Sequence, residues 1–132
     1  MLINLTNHQS GNWNSKQRET AMRLWNSIQD FPFPDVQPDW DERKVFFEAA
    51  DIVDKIVKMN PEAVLCQGEM TMTMILVSLL QKSKIRVYAA TSGRQSIEER
   101  KSDGTVEKKS VFQFVQFRPY HDFGDLPDKS HT

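Results

Sequence analysis

The sequence predicts an α/β fold: a three-layer, Rossmann-like, mainly parallel sheet that ends in an antiparallel β-hairpin. Two patterns carry this prediction. Through residue 90, short β-prone runs alternate with longer stretches of helical periodicity, the order expected of a parallel sheet with helices on its faces. Beyond residue 95, a polar segment and the β-rich Val106–Tyr120 flank Ser102-Asp103-Gly104-Thr105, a strong turn signal.

Leu2–Thr6 reads as the first strand, closed by the polar loop Asn7–Asn14. Asn14 and Gln17 form a capping-box pattern, and Ala21, Leu24, Trp25 and Ile28 recur at helical spacing, so a helix is expected near 15–30. Phe31-Pro32-Phe33-Pro34 stops it, leaving room before Pro38 for a very short edge strand. Asp39 and Glu42 suggest a second capping box, opening a helix near 40–59 whose stripe runs from Val45 to Val57. Asn60-Pro61 ends that helix, Ala63–Gln67 reads as a buried strand and Gly68 breaks it. Glu69–Lys82 is apolar nearly all round, as in a helix packed deeply on a sheet. Ile85–Ala90 is the next strand, closed by Thr91-Ser92-Gly93. Residues 95–101 and 106–118 form the hairpin, and the apolar run Val111–Phe117 places its second arm inside the sheet.

A chain of 132 residues fits one domain, read as 1–122, with a loose tail over 123–132. Seventeen basic against eighteen acidic residues argue against general duplex nucleic-acid binding. The stretch Met70–Leu80 is interrupted by Thr71, Thr73 and Ser78 and is too short to span a bilayer, and MLINLTNHQSGNW lacks the pattern of a secretory signal. A cytoplasmic protein is therefore expected. The single Cys66 excludes an internal disulfide and reads as a buried thiol. His8, His121 and His131 lack ligand spacing, so neither a metal nor a cofactor is expected.

Ligands of open α/β sheets bind beyond the carboxyl ends of the strands. Three such ends carry candidate site residues: Asn7 and His8 after the first strand, Gln67, Gly68, Glu69 and Thr71 after the third, and Thr91, Ser92, Gly93 and Arg94 after the fourth. His8 is the candidate general acid or base, because imidazole exchanges protons readily near neutrality. Backbone donors at 68–71 and the forked guanidinium of Arg94 suit phosphate, while Asn7, Gln67, Glu69 and Ser92 suit a base or ribose. Each has a plainer alternative: His8 bonding its own loop, Glu69 complementing a helix dipole, Thr91-Ser92-Gly93 closing a strand. No Walker loop and no G-x-G-x-x-G are present.

With LINLTNH, DFPFPDV, VLCQGEMT, VYAATSGR and FQFVQFR in this order, the chain resembles small CRISPR-associated Rossmann-like accessory proteins of the CARF and ring-nuclease type, over about residues 1–120. The resemblance implies binding of cyclic oligoadenylate across a two-fold homodimer. In some members it implies metal-independent cleavage in which the ligand's own 2′-hydroxyl attacks. It places Asn7, His8, Gln67–Glu69, Ser92 and Arg94 around the ligand, although no family-defining catalytic residue is matched. Two other functions fit the residues: an enzyme of nucleoside or nucleotide metabolism using Glu69 on a ribosyl bond, and a non-catalytic protein-interaction module using the hairpin and tail.

Overall fold

A computed structural model describes residues 1–124. The elements are β1 (Leu2–Thr6), α1 (Ser15–Trp25), β2 (Ile28–Asp30), α2 (Glu42–Met59), β3 (Ala63–Gln67), α3 (Met70–Lys82), β4 (Arg86–Arg100) and β5 (Val106–Pro119), with a 3₁₀ turn over Ser10–Asn12. They form an α/β fold around one mixed sheet in the order β2-β1-β3-β4-β5. The first four strands in that order are mutually parallel, and β4–β5 is antiparallel.

Apolar residues of successive strand positions point to opposite faces of the sheet, and each set has its own helical cover. On one face Ile3, Leu5, Val64 and Cys66 pack with Val53 and Ile56 of α2 and Leu76 and Leu80 of α3. On the other, Leu2, Leu65, Phe114 and Phe117 pack with Ala21 and Trp25 of α1 and with Trp13 before it. Cys66 is fully buried, and burial pushes its thiol up to about 12, so it stays protonated and unreactive. None of the helices among the described residues is long and apolar enough to cross a membrane.

Several boundaries differ from those expected. The first helix stops at Trp25, not near residue 30, because Asn26 turns to φ +68° and its N–H closes on Met22 O. Ile28 therefore belongs to an edge strand that precedes the prolines; the segment 31–38 holds none. The cap of α2 is Asp41, whose carboxylate accepts from Lys44 N at 2.8 Å, so the Asp39–Glu42 pairing is not used.

The largest difference lies in β4. It runs unbroken for 15 residues, so Thr91-Ser92-Gly93 is strand interior and not a closing loop, and residues 95–100 continue the same strand. The turn is where the sequence placed it, with Gly104 at φ +86°. The second arm, β5, forms the sheet edge and is not internal. Its apolar run has another cause. Gln116 pairs with Thr91 and Phe114 with Ser92, leaving Val115 as a bulge that turns Phe114 onto the face of Phe117. Beyond the bulge the two arms leave the body as a ribbon. Of the expected tail, Phe123 and Gly124 lie in a turn closed by Gly124 N on Asp122 Oδ1 at 2.9 Å; the rest lies outside the described residues.

Candidate functional site

The chain leaves β1 toward β2 and leaves β3 toward β4, with helices on opposite faces, so the connections diverge between the carboxyl ends of β1 and β3. That is where an open α/β sheet leaves a crevice. A cavity of about 470 Å³ occupies it on the α1 side. Among its lining residues are five carboxamides (Asn7, Asn12, Asn14, Gln17 and Gln67), the hydroxyls of Thr6 and Ser92, the indole of Trp13 and the imidazole of His8. Among the described residues no Asp, Glu, Lys or Arg lines it.

The loop after β1 is held from beneath. Asn4, only 1% exposed, donates from Nδ2 to His8 O and to Asp30 Oδ1, both at 2.8 Å, and its Oδ1 accepts from Thr6 Oγ1. His8 O also accepts from Trp13 Nε1 at 3.1 Å and from Thr6 Oγ1 at 3.1 Å. Asp30 accepts from Ser10 N and Ser10 Oγ at 3.0 Å each. The backbone of His8 is thus fixed while its side chain stands exposed in the cavity.

Burial pushes the Asp30 carboxyl up, but the hydrogen bonds from Asn4 and Ser10 together outweigh it and hold the group below its ordinary value of 3.8. A carboxyl lowered in the fold stabilises it above the ordinary value, and that contribution fades as pH falls through the lowered one. Asp30→Asn is therefore expected to cost roughly 1 kcal/mol at neutral pH, the low end for hydrogen bonds to a charged group that solvent screens. Urea unfolding of the two proteins should show that difference at neutral pH and a smaller one in acid, where the carboxylate takes up its proton. An equal gap at both pH values would remove the ionised carboxylate from the account.

Of the residues singled out in the sequence, Asn7, His8, Gln67, Gly68 and Ser92 meet in this cavity, while Glu69, Thr71, Thr91, Gly93 and Arg94 lie outside its lining. The proposed phosphate cradle at 68–71 is already filled by protein. Glu69 caps α3 with its own carboxylate, accepting from Met72 N at 2.7 Å and from Thr71 Oγ1 at 2.6 Å. The Thr71 hydroxyl, then the Met72 N–H, hold that carboxyl below its ordinary range, so an incoming anion would meet a fixed negative charge. Gly68 answers to packing: a Cβ there would fall 2.4 Å from the ring of buried Phe33. Gln67 extends the sheet, since its Oε1 accepts from Ala90 N at 2.9 Å and its Nε2 donates to Ala90 O at 3.2 Å, two residues past the last β3–β4 pair. Thr91 Oγ1 donates across the hairpin to Gln116 O. At Gly93 a Cβ would make only ordinary contact with Val115. Arg94 lies over the ring of Phe112, 5.2 Å from its centroid, on the strand face that Ser92 presents to the cavity.

Asn12, Asn14 and Gln17 are polar lining residues that the sequence does not single out for the site. In the sequence Asn14 and Gln17 show only a helix cap, which they form, with Asn14 Oδ1 accepting from Gln17 N at 2.9 Å. The usable signal was position: a helix that starts a few residues after a parallel strand begins beside that strand's carboxyl end.

A family model matches residues 1–118, from the start of the chain to the last residue but one of β5. The chain belongs to the Uncharacterized protein MJ1673 family. The family match takes in every residue that lines the cavity, together with the ribbon. No curated protein matches the chain.

Proposed function

We propose that this is a Rossmann-like, three-layer nucleotide-binding protein whose ligand is an adenine nucleotide or cyclic oligoadenylate, and that His8 cleaves the latter without a metal. The observation that carries the reading is the cavity between β1 and β3. It offers carboxamide donors and acceptors, an aromatic surface and an imidazole, and among the described residues no charged side chain. Carboxamides match the hydrogen-bonding edge of adenine, an indole offers a stacking face, and hydroxyls suit a ribose. Phosphate would lie outward, toward Arg94.

In the cleavage step His8 takes the proton of the ligand's 2′-hydroxyl as that oxygen attacks the neighbouring phosphorus. The new O2′–P bond replaces P–O5′, and the proton passes to the departing 5′-oxygen. The products are a 2′,3′-cyclic phosphate and a 5′-hydroxyl, with His8 returned to its starting state. The CRISPR-associated resemblance supports the same ligand class and a cytoplasmic homodimer. The ribosyl-bond alternative fits less well, because Glu69 is engaged as a helix cap and is absent from the cavity lining.

Thermal-shift titration against AMP, adenosine and cyclic tetra-adenylate tests the reading. A ligand at about 100 times its Kd should stabilise the protein by about 2.7 kcal/mol. The shift should be reduced in Asn7→Ala and Gln17→Ala, whose side chains face the cavity. Absence of any shift would sink the nucleotide reading and leave the protein-interaction alternative.

A further inference from the structure

The floor of the cavity does not end at its rim. Ala90 and Ser92 line it, and the alternation of β4 carries the same face outward through Arg94, Ser96, Glu98 and Arg100. Across the ribbon these pair with Phe112, Ser110, Lys108 and Val106. Successive rows lie roughly 7 Å apart, so the face extends roughly 27 Å from Ser92 to Arg100.

The two faces of the ribbon differ in their chemistry. On the far face Glu99 pairs with Lys109 at 2.8 Å, and at its tip Lys101 pairs with Glu107 at 3.1 Å, so those charges are engaged. On the cavity-side face Arg94, Arg100 and Lys108 form no ion pair among the described residues, and Glu98, opposite Lys108, offsets only one of the three. Phe112 is 69% exposed next to the Arg94 guanidinium, and the row beyond it is a pair of small hydroxyl side chains. An exposed aromatic ring in line with unpaired cations is the pattern by which proteins hold single-stranded nucleic acid, stacking bases and following the backbone with positive charge.

We propose that this face is a track for a single-stranded oligonucleotide: one nucleotide sits in the cavity, the next base stacks on Phe112, and the phosphates beyond run past Arg100 and Lys108. The inference rests on the nucleotide reading of the cavity and extends it from one nucleotide to a strand. The hydroxyls of Ser96 and Ser110 leave the middle row low enough for the strand to cross.

The test compares binding of AMP, by calorimetry, with binding of a fluorescein-labelled linear hexaadenylate RNA, by anisotropy, using the full chain. The hexamer should bind at least tenfold more tightly than AMP. Phe112→Ala should weaken the hexamer about tenfold, with AMP unchanged. Arg100→Ala with Lys108→Ala should lower the slope of log affinity against log salt by about 1.4. All three positions are exposed on the ribbon, and melting curves check that the variants remain folded. If AMP binds but the hexamer binds no more tightly, or ignores Phe112→Ala, the track is wrong and the cavity reading survives. If the hexamer binds through Phe112 while AMP does not bind, the cavity reading falls and takes with it the track as a path out of the cavity, leaving only a strand contact on the ribbon. Binding of neither overturns both and leaves the ribbon as a surface for protein.

Discussion

Phe114→Ala is expected to destabilise the protein by about 3–5 kcal/mol, the range for emptying a phenylalanine site in a packed core. Phe114 is 1% exposed, and its ring lies 4.8 Å from Phe117, which meets Trp25 at 5.2 Å. Truncation would open a cavity where three elements meet, and α1, β4 and β5 cannot all close into it while the sheet holds its register. Phe112→Ala is the internal comparison. Phe112 shares a strand face with Phe114 two residues away, yet it lies past the body and should change stability by no more than about 0.5 kcal/mol. Urea unfolding of both variants measures the pair. For a chain of this size the Phe114 loss corresponds to a fall in Tm of roughly 10 °C or more. Similar costs at both positions would mean that the core continues along the ribbon and that the bulge does not mark its edge.

That contrast also explains what the sequence disclosed. Where a strand or helix is buried by its own composition, as in Leu2–Thr6, Ala63–Gln67 and Met70–Lys82, apolar patterning was enough to place it within a residue or so. The run Phe112–Phe117 was ambiguous because a bulge and a doubly buried strand produce the same pattern, apolar residues on both sides of the alternation. Only the pairing of Gln116 with Thr91 and of Phe114 with Ser92 separates them, and pairing is not written in either arm alone. Thr91-Ser92-Gly93 misled for a related reason. Those residues favour turns locally, but the facing arm supplies thirteen paired positions and keeps the strand extended. β2 is three residues long, too short for periodicity to register, and it matters mainly because it delivers Asp30 to Asn4 and Ser10.

The site was legible to the extent that it is made of strand ends. Asn7 and His8 follow β1 directly, Gln67 ends β3 and Gly68 follows it, and the topology brings those two ends side by side. Arg94 and the 68–71 backbone suggest one phosphate cradle in the sequence because both follow apparent strand ends. In the fold, β4 continues past that point and Glu69 fills the helix terminus. A capping carboxylate and a ligand-binding carboxylate carry the same letter, and only the hydrogen bonds to Met72 N and Thr71 Oγ1 distinguish them.

His8→Ala should lower turnover of an oligoadenylate by about 10²–10⁴-fold, the usual contribution of a positioned acid–base group, while leaving its Kd within about threefold. The separation of the two effects follows from how His8 is held. Its carbonyl accepts from Asn4, Thr6 and Trp13, so the loop keeps its path when the imidazole is removed, and the carboxamides that would bind the ligand remain in place. Asn4→Ala makes the opposite change. It keeps the imidazole but withdraws a buried donor from both His8 O and Asp30, so it should affect binding, turnover and stability together. Added imidazole provides a further distinction: it should restore part of the turnover of His8→Ala, where the missing group has left space, and none of that lost in Asn4→Ala. Single-turnover cleavage of labelled cyclic tetra-adenylate, with the products resolved as 2′,3′-cyclic phosphate ends, measures each of these. Full turnover in His8→Ala would remove the acid–base role. A loss of binding equal to the loss of turnover would make His8 a ligand contact and not a catalyst, because an acid–base group acts on the transition state more than on the bound ground state.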